Sequence, residues 1–237
     1  MCFNAEVSLA TFIAGTIINI IVLVVYGTSP SILTVTLLWQ WVLLMQFFEF
    51  LVWTFPASGP NMEQCSFIHK CTNTGAFVAN IMQPVVVFCV AVAVYKPETL
   101  NVTIAAVAVV AYLCYILVKT ASTNVLGECM TCVRSPEPSS SCSGLQYNWW
   151  KEISPVPYLL CLTVCIVCLI QPQWWGMTQL MWVFATLVVA IAAFGGAVPS
   201  LWCFLAAFAP VGTLLCAPYL VNWNVIDTEL TEICHIF

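Results

Sequence analysis

The sequence predicts an all-α fold, a polytopic transmembrane bundle of about seven helices, on three observations. Hydrophobic residues make up 62% of the chain and charged residues 6%, whereas an ordinary soluble domain carries about 25% charged residues. The apolar residues fall in unbroken runs of helix length, and a membrane barrel needs instead strands of about ten residues with alternating polarity. Proline, glycine and serine collect between those runs, where the chain has to turn. The whole of 1–237 therefore reads as one integral membrane domain whose first partner is the lipid bilayer.

A span needs about 20 mostly apolar residues, because a helix rises about 1.5 Å per residue through roughly 30 Å of hydrocarbon. The segments that qualify are 7–26, 32–55, 74–95, 102–118, 156–170, 177–194 and 198–221. The first has no basic residue ahead of it and is too long for a signal-peptide core, so it reads as a retained span. The second stops at Phe55-Pro56 and the third at Lys96-Pro97. A Cys-, Ser- and Pro-containing loop, 119–155, follows the fourth. The fifth is short, held between Pro155 and Pro172, and Gly195-Gly196 separates the sixth from the seventh. Trp149, Trp150, Trp174, Trp175 and Trp223 flank the spans, where interfacial aromatics belong.

The second span is the functional focus because it carries Glu49 within ILTVTLLWQWVLLMQFFEFLVWTF. Glu49 stands six residues before Phe55, about 9 Å below that surface. Inserting an acidic group at a helix centre costs about 2.5 to 3.5 kcal/mol, so the carboxyl must face the bundle interior and find a partner or hold its proton. Trp39, Gln46, Glu49 and Trp53 are separated by seven, three and four residues and share one helix face. Counting inward from Thr74 sets Asn80 and Gln83 about 9 and 14 Å deep, on one face. Trp202 and Cys203 open the last span from the same side. Gln46, Glu49, Asn80, Gln83, Trp202 and Cys203 thus form a candidate pocket or relay, with Cys2 at its mouth. After loss of Met1, the Cys2 α-ammonium is expected to reach Glu49 as a plug. The plainer reading is that these amides only tie helices together, at a fraction of a kcal/mol to about 2 kcal/mol each.

An odd number of spans puts the chain ends on opposite sides. The N-terminal side holds Lys70, Lys119, Arg134 and Lys151, which by the positive-inside rule favours the cytoplasm. The same side collects Cys2, Cys65, Cys71, Cys129, Cys132 and Cys142, an even number that favours an oxidising compartment. The cysteines decide the expectation: N-terminus external, C-terminus cytoplasmic, and Cys65, Cys71, Cys129, Cys132 and Cys142 as disulfide candidates. Free thiols or a metal clamp at Cys129-x-x-Cys132 stay open as alternatives. Neither loop alone shows four ligands, and no metal or other cofactor is predicted.

A net charge of -5 leaves no basic stripe for phosphates, so nucleic acid is not an expected partner. Every lysine lies in a loop or at a span edge, which removes a retinal Schiff base, and neither histidine falls within a span. The favoured function is transport of a small solute, ion or proton through the Glu49 pocket. One alternative is an intramembrane thiol enzyme or redox protein, with Cys2 or Cys203 as nucleophile and Glu49 as base. No buried cation is available to stabilise its thiolate, so the balance is against an enzyme. The other alternative is a receptor-like or structural membrane component.

The opening Met1-Cys2-Phe3-Asn4, the stretch Gln46-Phe47-Phe48-Glu49-Phe50-Leu51-Val52-Trp53 and the stretch Trp202-Cys203-Phe204 carry a resemblance. Together they resemble an uncharacterised multi-pass membrane family of bacteria and large DNA viruses. Its members are similar in a Met-Cys-Phe-Ser start, a Gln-x-x-Glu-x-x-x-Trp second span and a Trp-Cys-Phe last span. The resemblance implies a bundle of about seven spans with its N-terminal side external, and no particular reaction.

Overall fold

The computed structural model describes residues 5–55, 66–95, 97–123, 131–134, 142–146, 149–194 and 208–234. In chain order the helices are α1 (Ala5–Tyr26), α2 (Pro30–Thr54), α3 (Phe67–Ile81), α4 (Gln83–Tyr95), α5 (Thr99–Ser122), α6 (Trp149–Glu152), α7 (Pro155–Leu169), α8 (Gln173–Phe194) and α9 (Ala209–Cys234). A short antiparallel ribbon, β1 (Thr131–Arg134) with β2 (Cys142–Gln146), lies within the long loop and leaves the fold helical.

Four helices, α1, α2, α5 and α8, are long and apolar enough to cross a membrane, and α3 with α4 makes a fifth if the bent pair is one span. Among the described residues, length and composition thus account for four or five of the seven expected spans. Helix α7 and the apolar part of α9, Ala209–Asn222, are shorter than a full crossing. The segment expected at 74–95 begins seven residues earlier, at Phe67, and breaks between Ile81 and Gln83 with a bend of 54°. Pro84 explains the break. It has no N–H to donate, and its ring collides with the carbonyl of the residue four before it, Asn80. Of the segment expected at 198–221, residues 198–207 lie outside the described residues, and the helix from Ala209 runs on to Cys234.

Local signals set the other helix starts. Ser66 caps α3, its hydroxyl accepting from the His69 amide at 3.1 Å. Ser154 caps α7 ahead of Pro155 at its first position, and Pro30 likewise opens α2.

Helix α2 is the axis of the bundle: 56% of its most apolar window is buried inside the protein, against 22% for α1 and for α5. It packs against α1, α3, α4 and α9. On α1 the inward residues Ser8, Gly15, Asn19 and Val22 follow a helical stripe, and Ile13, Ile17, Ile20 and Val24 face outward. Gly15 allows the close approach, since a Cβ there would lie 2.6 Å from Leu43 Cδ2. Asn19 Nδ2 donates to Gln40 Oε1 at 3.0 Å, and Gln40 Nε2 donates to Thr16 Oγ1 at 3.1 Å, which locks the pair. Two of the flanking tryptophans are covered by protein: Trp175 is fully buried, and Trp149 is buried edge-on against Phe77 with ring centroids 5.6 Å apart. Trp174 is exposed.

Candidate functional site: a polar line inside the bundle

The helical period of α2 turns Trp39, Gln46 and Glu49 inward. Glu49 is 1% exposed and Gln46 0%. Gln46 Nε2, one turn away, donates to Glu49 Oε2 at 3.0 Å. That bond orients the carboxyl and satisfies part of its buried polarity.

Three contacts fix the register of α2 against α3. The Trp41 indole N–H donates to the Ala79 carbonyl at 2.8 Å. Gly75 admits the Phe48 ring, whose Cε1 would be 2.3 Å from any Cβ at that position. Near the end of α2, His69 Nδ1 lies 3.1 Å from the Phe55 carbonyl oxygen. The helices run antiparallel, with Trp41 opposite Ala79, Phe48 opposite Gly75 and Phe55 opposite His69. Glu49 is therefore level with Asn73 to Ala76, and Asn80 is level with Trp41, about 12 Å further along the axis. These contacts spread the candidate residues along the bundle instead of gathering them at one depth. The earlier start of α3 is the reason, because it carries Asn80 and Gln83 deeper than counting from Thr74 allows.

The inward stripe of α3 contains His69, Asn73 and Asn80, and Gln83 continues it across the break; all four are buried. Among the described residues neither Asn80 Oδ1 nor Asn80 Nδ2 has a hydrogen-bond partner, although Asn80 is 0% exposed. His69 Nε2 is likewise buried without one. Leaving such a group unsatisfied costs about 1 to 3 kcal/mol.

The break itself is well supplied with donors. Trp41 of α2 takes the Ala79 carbonyl, and the Tyr112 hydroxyl of α5 donates to the Ile81 carbonyl at 3.0 Å. The Tyr158 hydroxyl of α7 donates to Gln83 Oε1. Three aromatic donors from three helices thus hold the bent span where Pro84 interrupts its own hydrogen bonds. On the inward face of α2, Trp39 Nε1 donates to Gln179 Oε1 at 2.8 Å, and Ser31 Oγ donates to the Gln171 carbonyl. The first half of α2 is therefore anchored to α8 and to the turn that precedes it, below the level of Glu49.

Sequence reasoning did not single out Trp41, Asn73, Pro84, Tyr112 or Tyr158, and it set His69 outside the spans. Pro84 was a visible signal, a breaker in the middle of an otherwise apolar run. Tyr112 and Tyr158 were another, since a phenol well inside a span needs a partner.

Cys71, a disulfide candidate, carries a free thiol and is exposed on the first turns of α3. Cys65 and Cys129 lie outside the described residues. Cys132 and Cys142 stand on the ribbon, where their register partners are Leu145 and Arg134. Cys2, Trp202 and Cys203 also lie outside the described residues. Among the described residues no group of three or more His, Cys, Asp or Glu side chains is arranged to hold a metal ion.

Tyr158→Phe removes the donor to Gln83 and leaves that amide oxygen buried. A loss of about 1 to 3 kcal/mol of stability is expected, read as earlier unfolding in detergent. Gln83→Leu in the same background is expected to recover much of it, because it removes the orphaned acceptor. Unchanged unfolding in Tyr158→Phe refutes the bond.

Comparison with protein-family models, with curated proteins and with solved structures finds no match to this chain.

Proposed function

We propose that the protein carries a small cation, a proton or a small polar solute across the membrane along the interior line from His69 through Glu49 and Gln46 to Asn80 and Gln83. The observation that carries this reading is a fully buried carboxyl, held by Gln46 and level with the buried Asn73 of α3. An ionisable group inside a span is expensive, and its usual use is to accept and release charge. Asn80, with donor and acceptor both uncommitted, suits the handing on of a solvated ion or of water. The broken span supports the same reading, since interrupted helices are where transporters bring backbone and amide oxygens to a solute. In this proposal α7 and α9 are also crossings, which makes seven. The family resemblance is retained with it.

The test is flux in sealed vesicles. Purified protein is reconstituted with a pH-sensitive or cation-sensitive dye inside, and an imposed gradient is followed with and without the protein. Flux no faster than in empty vesicles, for protons and for a series of monovalent cations and small amides, overturns the proposal. A structural role is the second reading, favoured by Asn19–Gln40 and Trp39–Gln179, which show that this bundle uses amides as ties.

Orientation is part of the same proposal: the N-terminal side is external. Cys71 reports on it, being free and exposed at that end of α3. Membrane-impermeant maleimide is expected to modify Cys71 on intact cells without prior reduction, mapped by mass spectrometry. Modification only after permeabilisation reverses the orientation.

A further inference from the structure

A groove of about 270 Å³ lies between α5 and α7, walled by Ala108, Ala111 and Tyr115 on one side and Pro157, Leu160 and Val164 on the other. Two alanines facing a proline leave the gap, while deeper in the bundle Tyr112 and Tyr158 keep the helices together with ring centroids 6.5 Å apart. Its surroundings are apolar and outward-facing: Val107, Val110 and Leu117 on α5 and Val156 and Leu160 on α7 are all more than half exposed. In a bilayer-spanning protein such a groove opens to lipid. It covers α5 from Ala108 to Tyr115, about 10 Å along the axis.

The upper end of the groove is polar. Tyr115 accepts from the Ser154 amide at 2.9 Å, which fixes its hydroxyl at the start of α7. One turn further, Lys119 continues the stripe of Ala108, Tyr112 and Tyr115 at spacings of four, three and four residues. Lys119 is partly exposed, and among the described residues no ion pair claims it. A lysine at a span end extends its stem along apolar surface and sets its ammonium at headgroup level. Glu152, exposed two residues before Ser154, is the competing partner at that end.

We infer that this groove is a binding site for an anionic phospholipid, one acyl chain lying between α5 and α7 and the phosphate meeting Lys119. Apolar walls of this height fit the upper part of a chain, and an unclaimed cation directly above them selects a negative headgroup over a zwitterionic one. The site is on the outside of the bundle and does not depend on the proposed transport path.

The test is photo-crosslinking in vesicles of phosphatidylcholine doped with a minor fraction of photoactivatable lipid, either phosphatidylglycerol or phosphatidylcholine, with adducts mapped by mass spectrometry. Wild-type protein is expected to give adducts at Ala111, Leu160 and Val164 about fivefold more often with the anionic lipid, the preference one basic residue near a headgroup supplies. Lys119→Gln is expected to bring that ratio near unity while adducts persist. Ala111→Phe fills the groove and is expected to lower adducts of both lipids, and Ala108→Leu serves if the first variant fails to fold. Equal labelling by the two lipids in wild type, or a ratio unmoved by Lys119→Gln, overturns the inference. So does undiminished labelling in a folded groove-filling variant.

Discussion

Glu49→Gln is expected to reduce flux in reconstituted vesicles to the level of empty vesicles while the protein unfolds at the wild-type temperature. Glutamine keeps the size of the side chain and can still bond to Gln46, but it has no proton to exchange and no negative charge to offer a cation. Glu49→Leu is expected to abolish flux as well and also to destabilise the protein, because it strips the Gln46 amide of its acceptor at 3.0 Å and leaves a buried donor. That loss is expected at about 1 to 3 kcal/mol. The pair of variants separates the two readings of the carboxyl. If Glu49 is only a helix tie, the Gln variant is silent in flux and stability, and the Leu variant shows the stability loss alone. Wild-type flux in Glu49→Gln removes Glu49 from the transport path.

The second large effect is expected at Gly75. A Cβ at this position would lie 2.3 Å from Cε1 and 2.6 Å from Cζ of Phe48, far inside contact distance. The Phe48 ring has little room to yield. It stands edge-on to Phe47 with centroids 5.8 Å apart, and Phe47 in turn meets Phe12 of α1 at 5.3 Å. Gly75→Val must therefore push α3 away from α2. The contacts on either side of Gly75, Trp41 to Ala79 and His69 to Phe55, stretch with it. Overpacking of this kind costs about 1 to 3 kcal/mol, and the loss of the Trp41 bond adds about 1 kcal/mol. The unfolding temperature in detergent is expected to fall by several degrees or more. Phe48→Ala in the Gly75→Val background is expected to recover part of the loss, since it removes the atoms that collide. Full stability in Gly75→Val alone contradicts the close approach of the two helices and with it the register that sets Glu49 level with Asn73.

The sequence alone determines that the chain is helical and belongs in a bilayer, that its second segment is a span, and that Glu49 lies inward on it. These are consequences of composition and of a 3.6-residue period, both of which act over a turn or two of one helix. It also holds Pro84 in plain view. Whether that proline ends a span or bends one depends on what takes up the freed carbonyls, and the groups that do so are remote: Trp41 is 38 residues from Ala79, and Tyr112 is 31 residues from Ile81. The same holds for the amides. Gln83 is joined to Tyr158 across 75 residues and Trp39 to Gln179 across 140. A helix start seven residues earlier than the hydropathy edge moved Asn80 down the bundle and brought Asn73 level with Glu49 in its place. His69 passed from a loop to a buried position for the same reason, because hydropathy does not register a polar first turn that Ser66 caps and α2 covers. Local sequence decides which face of a helix avoids lipid. Which residues then meet across that face is set by the register between helices, through contacts such as Gly75 against Phe48 that no single segment contains.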